Sequence, residues 1–191
     1  MMQKLVLIPV LFAIACLLAG LYGMLHNQVS YTVSPEYFHK FKFIQFSIPD
    51  SIPGRIGASI VGWRASWWMG IVIGTPIIFT SLIFKGWRMF FIKALESFCV
   101  VTATTLVIGL TALLISFRLI SEKNIPLDWY PDISNKVAFA RAGMMHDFSY
   151  LGGLIGIIAA VIYLLIAKRR QKNTGSVDMR SPPNNRLDRF L

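Results

Sequence analysis

The stretch ASIVGWRASWWMGIVIGTPIIFTSLIF, Ala58–Phe84, decides the fold class. Ala58, Gly62, Ser66, Gly70 and Gly74 recur at every fourth position and so share one helical face. The run Ala65–Phe84 is long and apolar enough to cross a hydrocarbon core of about 30 Å, which takes about 20 residues. In lipid there is little hydrophobic drive between helices, and close backbone approach along small residues replaces it. The ladder therefore predicts a membrane helix packed tightly on a neighbour. Trp63, Trp67 and Trp68 suit the membrane–water boundary, which puts Arg64 there too. Pro76 predicts a bend, with Thr75 and neighbouring helices satisfying the freed backbone groups.

Three more apolar runs of this kind lie on either side: Leu5–Leu25, Ala94–Phe117 and Phe148–Ala167. With 55% apolar and 15% charged residues over 191 positions, the chain departs from soluble proteins in both respects. The fourth run repeats the small-residue theme in Ser149, Gly152, Gly153, Gly156 and Ala160. The expected fold is an all-α membrane protein, a bundle of four transmembrane helices over residues 1–172. Outer loops would cover 26–64 and 118–147, and a disordered cytoplasmic tail 173–191. Lys4 followed by an apolar run could also open a signal peptide, and Ala13-Ile14-Ala15-Cys16 loosely resembles a lipobox. The run continues well past Cys16, however, so a retained helix is expected.

The formal charge of +10 would suggest nucleic acid in a soluble protein, but its placement argues against that partner. Lys85, Arg88 and Lys93 crowd one short connection, and Lys168, Arg169, Arg170 and Lys172 follow the last run. Between Arg118 and Asp147 cations and acids balance. Lys/Arg excess marks the cytoplasmic side. Both termini are therefore expected in the cytoplasm of a bacterial-type inner membrane. Cys16 and Cys99 fall inside the runs, so no disulfide is expected to staple the outer loops.

The densest segment outside the spans is Tyr31–Phe46, YTVSPEYFHKFKFIQF. Ser34-Pro35-Glu36 reads as a helix start, and Tyr37, Phe38, Phe41 and Ile44 continue at helical spacing. A short helix over Pro35–Phe43 competes with strand patterns, in QVSYTV at 28–33 and in Phe41 and Phe43 alternating with Lys40 and Lys42. Either way the segment predicts an aromatic cap at the membrane surface.

No phosphate loop, HExxH, CxxC or GxSxG motif is present. The best candidate cluster joins His26, at the end of the first run, to His146 and Asp147, at the start of the fourth, with His39 and Glu36 above them. Met144 and Met145 would add soft donors, so copper or zinc is the metal alternative to an expectation of no cofactor. Arg64 and Arg141 could hold an anionic head group. Glu96, one turn from Lys93, reads as an interfacial ion pair or, alternatively, a proton-carrying group. The expected function is structural or accessory: binding lipid, other membrane proteins or a second copy through the small-residue faces and the aromatic cap. The alternatives are a small oligomeric transporter or channel, and a membrane-embedded enzyme or metal protein with its site at the outer surface.

Overall fold

The computed structural model describes residues 2–125 and 132–178. Among them every regular element is helical: α1 (Met2–Val33), α2 (Pro35–Tyr37), a π-helical turn (Phe38–Lys42), α3 (Phe43–Gln45), α4 (Gly54–Ser66), α5 (Met69–Ser81), α6 (Trp87–Leu119) and α7 (Lys136–Asp178). Three helices, α1, α6 and α7, are long and apolar enough to cross a membrane. The α4–α5 pair, bent by 43°, makes a fourth if it is one span.

Small residues set the packing. A Cβ on Gly62 would lie 2.3 Å from the Gly23 carbonyl oxygen, one on Gly70 would meet the Cys16 backbone, and one on Gly74 would touch Phe12. The numbers run in opposite senses, so α1 is antiparallel to α4–α5. On the other side Gly109 faces Ser149, Gly152 faces Thr105 and Gly156 faces Val101, which makes α6 and α7 a second antiparallel pair. Ala58 is fully buried, and Ser66 lies against Gly23.

The two pairs meet in an apolar core near the chain termini, built from Leu11, Ile77, Phe84, Phe90, Ala94, Phe98, Ala160 and Leu164. There the Lys4 ammonium donates to the Leu82 and Phe84 carbonyls, which follow the end of α5. At the opposite end residues 34–53 fold over α1, α4 and α7. Tyr37, Phe38, Phe43 and Ile48 pack with Val61, Ile133, Phe139 and Ala142.

Several expectations change. The segment 28–33 is helix, not strand, because polar side chains beyond the apolar run find partners on α4: Asn27 Nδ2 donates to the Ala58 carbonyl (3.0 Å) and Gln28 Nε2 to the Arg55 carbonyl (2.9 Å). The connections expected at 26–64 and 118–147 therefore shrink, since α1 and α7 both outrun the apolar stretch. The cap is helical too. Ser34 Oγ accepts the Tyr37 N–H at 3.1 Å, and a π turn replaces the strand alternative over Phe38–Lys42. The bend falls at Trp67–Trp68, where Gly70 and Ile71 bond to carbonyls three residues back. Pro76 lies too far along to cause it, because a proline clashes with the carbonyl four residues behind it. Helix α7 starts on Asn135, whose Oδ1 accepts the Ala138 N–H, instead of Asp132 or Ser134, and passes Gly143 unbroken. It continues to Asp178, into the tail expected to lack structure; the rest of that tail, and Pro126–Pro131, lie outside the described residues.

Candidate functional site

Helix α1 carries Tyr22, His26 and Ser30 four residues apart, and α7 carries His146 and Ser149 three apart, so each set lies on one helical face. Where the antiparallel helices cross, the two faces interlock. Ser149 Oγ lies 2.9 Å from His26 Nε2, and Ser30 Oγ lies 3.1 Å from His146 Nε2. The imidazoles meet edge to face at 4.6 Å, and Tyr37 of the cap stacks on His146 at 5.1 Å. All four side chains are buried.

Asn27 donates its amide to the Ala58 carbonyl, which turns Oδ1 toward His26 Nδ1 at 3.4 Å. Ser149 Oγ stands at the other ring nitrogen, and Tyr22 donates to Ser149 Oγ at 3.4 Å. The result is a hydrogen-bonded relay through Tyr22, Ser149, His26 and Asn27 to the backbone of α4. Ser30 donates to the His26 or Asn27 carbonyl, so it accepts from His146 Nε2.

This relay borders a cavity of about 110 Å³ in the seam between the two helix pairs. Toward the cap its wall carries His26, Asn27, His146 and Lys42. Toward the core it carries Ala19, Ile73, Phe98 and Val101. The lining is thus mostly apolar, with the histidines, Asn27 and Lys42 grouped toward the cap. Below, the packed termini-side core closes it; the half-exposed Lys42, Ala65 and Met69 and the exposed Tyr150 mark its mouth, beside the α4–α5 break. The Lys42 ammonium lies over the Phe41 ring at 4.6 Å. Desolvation beneath the cap holds Lys42 below the usual lysine range, an effect that nearby Asp147 opposes.

Of the five metal candidates the structure brings His26 and His146 together. His39 pairs with the Tyr31 hydroxyl at 3.1 Å, and Asp147 is exposed. The Glu36 carboxylate accepts the N–H groups of Ser134 (2.7 Å) and Asn135 (2.9 Å), tying the cap to the start of α7. The Asn135 and Ser134 amides hold it below the usual carboxylate range. Among the described residues no three His, Cys, Asp or Glu side chains form a metal-holding group. The two arginines bond to backbone: Arg64 to the Phe46 carbonyl (3.0 Å), and Arg141 to the Ile120 carbonyl (3.0 Å) with its guanidinium over Phe117. Glu96 pairs with Lys93 at 2.6 Å and accepts the Tyr163 hydroxyl.

Sequence reasoning missed Tyr22, Asn27 and Ser30, and took Ser149 for a packing residue. The available signal was polar residues at helical spacing, Tyr22 inside the first apolar run with His26 and Ser30 just beyond it. No family model, curated protein or solved structure matches this chain.

Proposed function

We propose that this is an integral inner-membrane protein of accessory type, a four-helix bundle with both termini cytoplasmic, that holds an amphipathic lipid-soluble molecule in its central cavity. The polar end of the ligand sits at His26, His146 and Lys42, and its apolar body runs toward Ile73 and Phe98. The observation that carries this reading is the polarity gradient of the cavity combined with a mouth at the helix break. A void of about 110 Å³ is close to the size that accepts a benzene ring in an engineered protein cavity. The small-residue faces are occupied inside the chain, so contacts with other membrane proteins would use the cap and the exposed aliphatic faces.

The test is mass spectrometry of organic extracts from protein purified in mild detergent. A lipid-soluble compound should be present in near-stoichiometric amount and be lost from Ala65→Trp, which fills the mouth. Equal content in the two proteins would overturn the reading. A reporter fused after Lys172 and active outside the cytoplasm would overturn the orientation.

A second reading, a membrane-embedded enzyme, is favoured by the relay itself. Ser149 Oγ lies 2.9 Å from an imidazole nitrogen of His26, whose other nitrogen faces Asn27, the pairing from which a serine nucleophile is activated when the imidazole accepts its proton. An alkyl fluorophosphonate should then label Ser149, with labelling lost on His26→Ala. Absence of label on Ser149 in the intact protein removes this reading and leaves ligand binding untouched.

A further inference from the structure

At the end of the molecule opposite the cap, the start of α6 and the end of α7 leave a groove of about 570 Å³ between them. One part of its wall is apolar, formed by Met89, Ala159, Ile162 and Ile166. The other part carries Lys93, Tyr163 and Arg170. Ile162 and Ile166 are 51% and 45% exposed and continue the apolar outer face of α7.

The Lys93 ammonium has three N–H groups. One points at Glu96 (2.6 Å) and one at the Tyr163 hydroxyl (3.0 Å), which itself donates to Glu96. A third remains for a ligand in the groove. Arg170 is exposed at the same wall and offers a planar fork that matches phosphate oxygens. Tertiary structure concentrates further positive charge here, since the α5–α6 connection supplies Lys85, the first turn of α6 supplies Arg88 and α7 supplies Lys168 and Arg169. Glu96 is the one acid near them among the described side chains, and it is already matched by Lys93 and Tyr163.

We propose that this groove is a binding site for a single anionic phospholipid. Its phosphate is held between Lys93 and Arg170, and an acyl chain lies along Ala159, Ile162 and Ile166. The charge asymmetry selects an anionic over a zwitterionic head group, and the apolar wall selects a lipid over a free phosphate ion. Basic pockets between membrane helices take anionic head groups by this physics. The proposal does not depend on the ligand of the central cavity, which opens at the other end of the bundle.

Native mass spectrometry of the full chain, released from detergent with defined additives, provides the test. Phosphatidylglycerol should be retained as a one-lipid adduct; phosphatidylcholine and inorganic phosphate should not. Arg170→Gln alters an exposed side chain, and it should weaken retention about fivefold, as should Lys93→Gln. Lys172→Gln, two residues beyond Arg170 and so on a different face of α7, serves as the comparison and should change retention by less than about twofold. Equal retention of phosphatidylcholine would overturn the proposal. So would an equal loss in Lys172→Gln, which would mean diffuse surface attraction, or displacement of the lipid by inorganic phosphate.

Discussion

Two kinds of seam run through this bundle. Inside each helix pair, glycines let backbones touch: Gly62 on Gly23, Gly70 on Cys16, Gly152 on Thr105. Between the pairs, Tyr22, His26, His146 and Ser149 stand where a glycine ladder would otherwise run, and a cavity remains. Large polar side chains hold the pairs apart on one level, while the apolar core around Phe90 and Phe98 closes the next. Without a hydrophobic drive between helices in lipid, tight packing and hydrogen bonds must do the joining. The first seam uses packing and the second uses hydrogen bonds. The second seam is therefore where space, polarity and any chemistry accumulate.

The sharpest way to break this contrast is Gly62→Ala. The new methyl meets backbone and not a movable side chain, so α1 and α4 must separate, and a loss of about 3 kcal/mol is expected, read as a lower Tm in detergent. A Tm within error of wild type would mean that the within-pair seam is loose. Next comes Ser149→Ala, which leaves His26 Nε2 without its hydroxyl partner; the expected cost is about 1–3 kcal/mol. Because the relay also borders the cavity, the extracted ligand should fall in the same variant.

Gly153→Ala tests the other side of the comparison. This glycine lines the cavity, and its methyl would find only Thr105 Oγ1 at 3.9 Å. Removing a helical glycine should stabilise by about 0.5–1 kcal/mol, opposite in sign to its neighbour Gly152. A destabilised Gly153→Ala would show that the central seam is as tight as the others. The smallest effect is expected at the cap. The folded state lowers the Glu36 pKa, so its contribution is present above the usual carboxylate range and fades as the pH falls through that range and below it. Solvent screening limits it to under about 1 kcal/mol. Limited proteolysis of residues 34–53 should accelerate on acidification in wild type and show a weaker pH dependence in Glu36→Gln.

Much of the layout could be read from residue patterns. Composition and the four apolar runs point to a membrane protein, and Ser34-Pro35-Glu36 marks a helix start where Ser34 caps one. Element ends were less legible. Hydropathy reports the apolar stretch alone, whereas α1 continues past it where Asn27 and Gln28 find partners on α4, and α7 begins before it beside backbone amides held by Glu36 of the cap. The bend was assigned to Pro76, the one visible breaker, but it falls at two tryptophans with no breaker signal of their own.

The candidate site divides the same way. His26 and His146 stand out in the sequence because one directly follows the first apolar run and the other stands just before the fourth. Nothing local says that Ser149 faces His26, that Ser30 faces His146, or that Asn27 turns its Oδ1 to His26, since those pairs are more than a hundred residues apart or depend on a carbonyl of α4. By itself the sequence determined which stretches are apolar enough to cross a membrane, which faces could touch and where positive charge collects, because hydropathy, helical periodicity and charge are carried one residue at a time. Only the tertiary structure decided which small residues meet, where the cavity lies and which polar side chains pair, because each of these needs the relative placement of two helices.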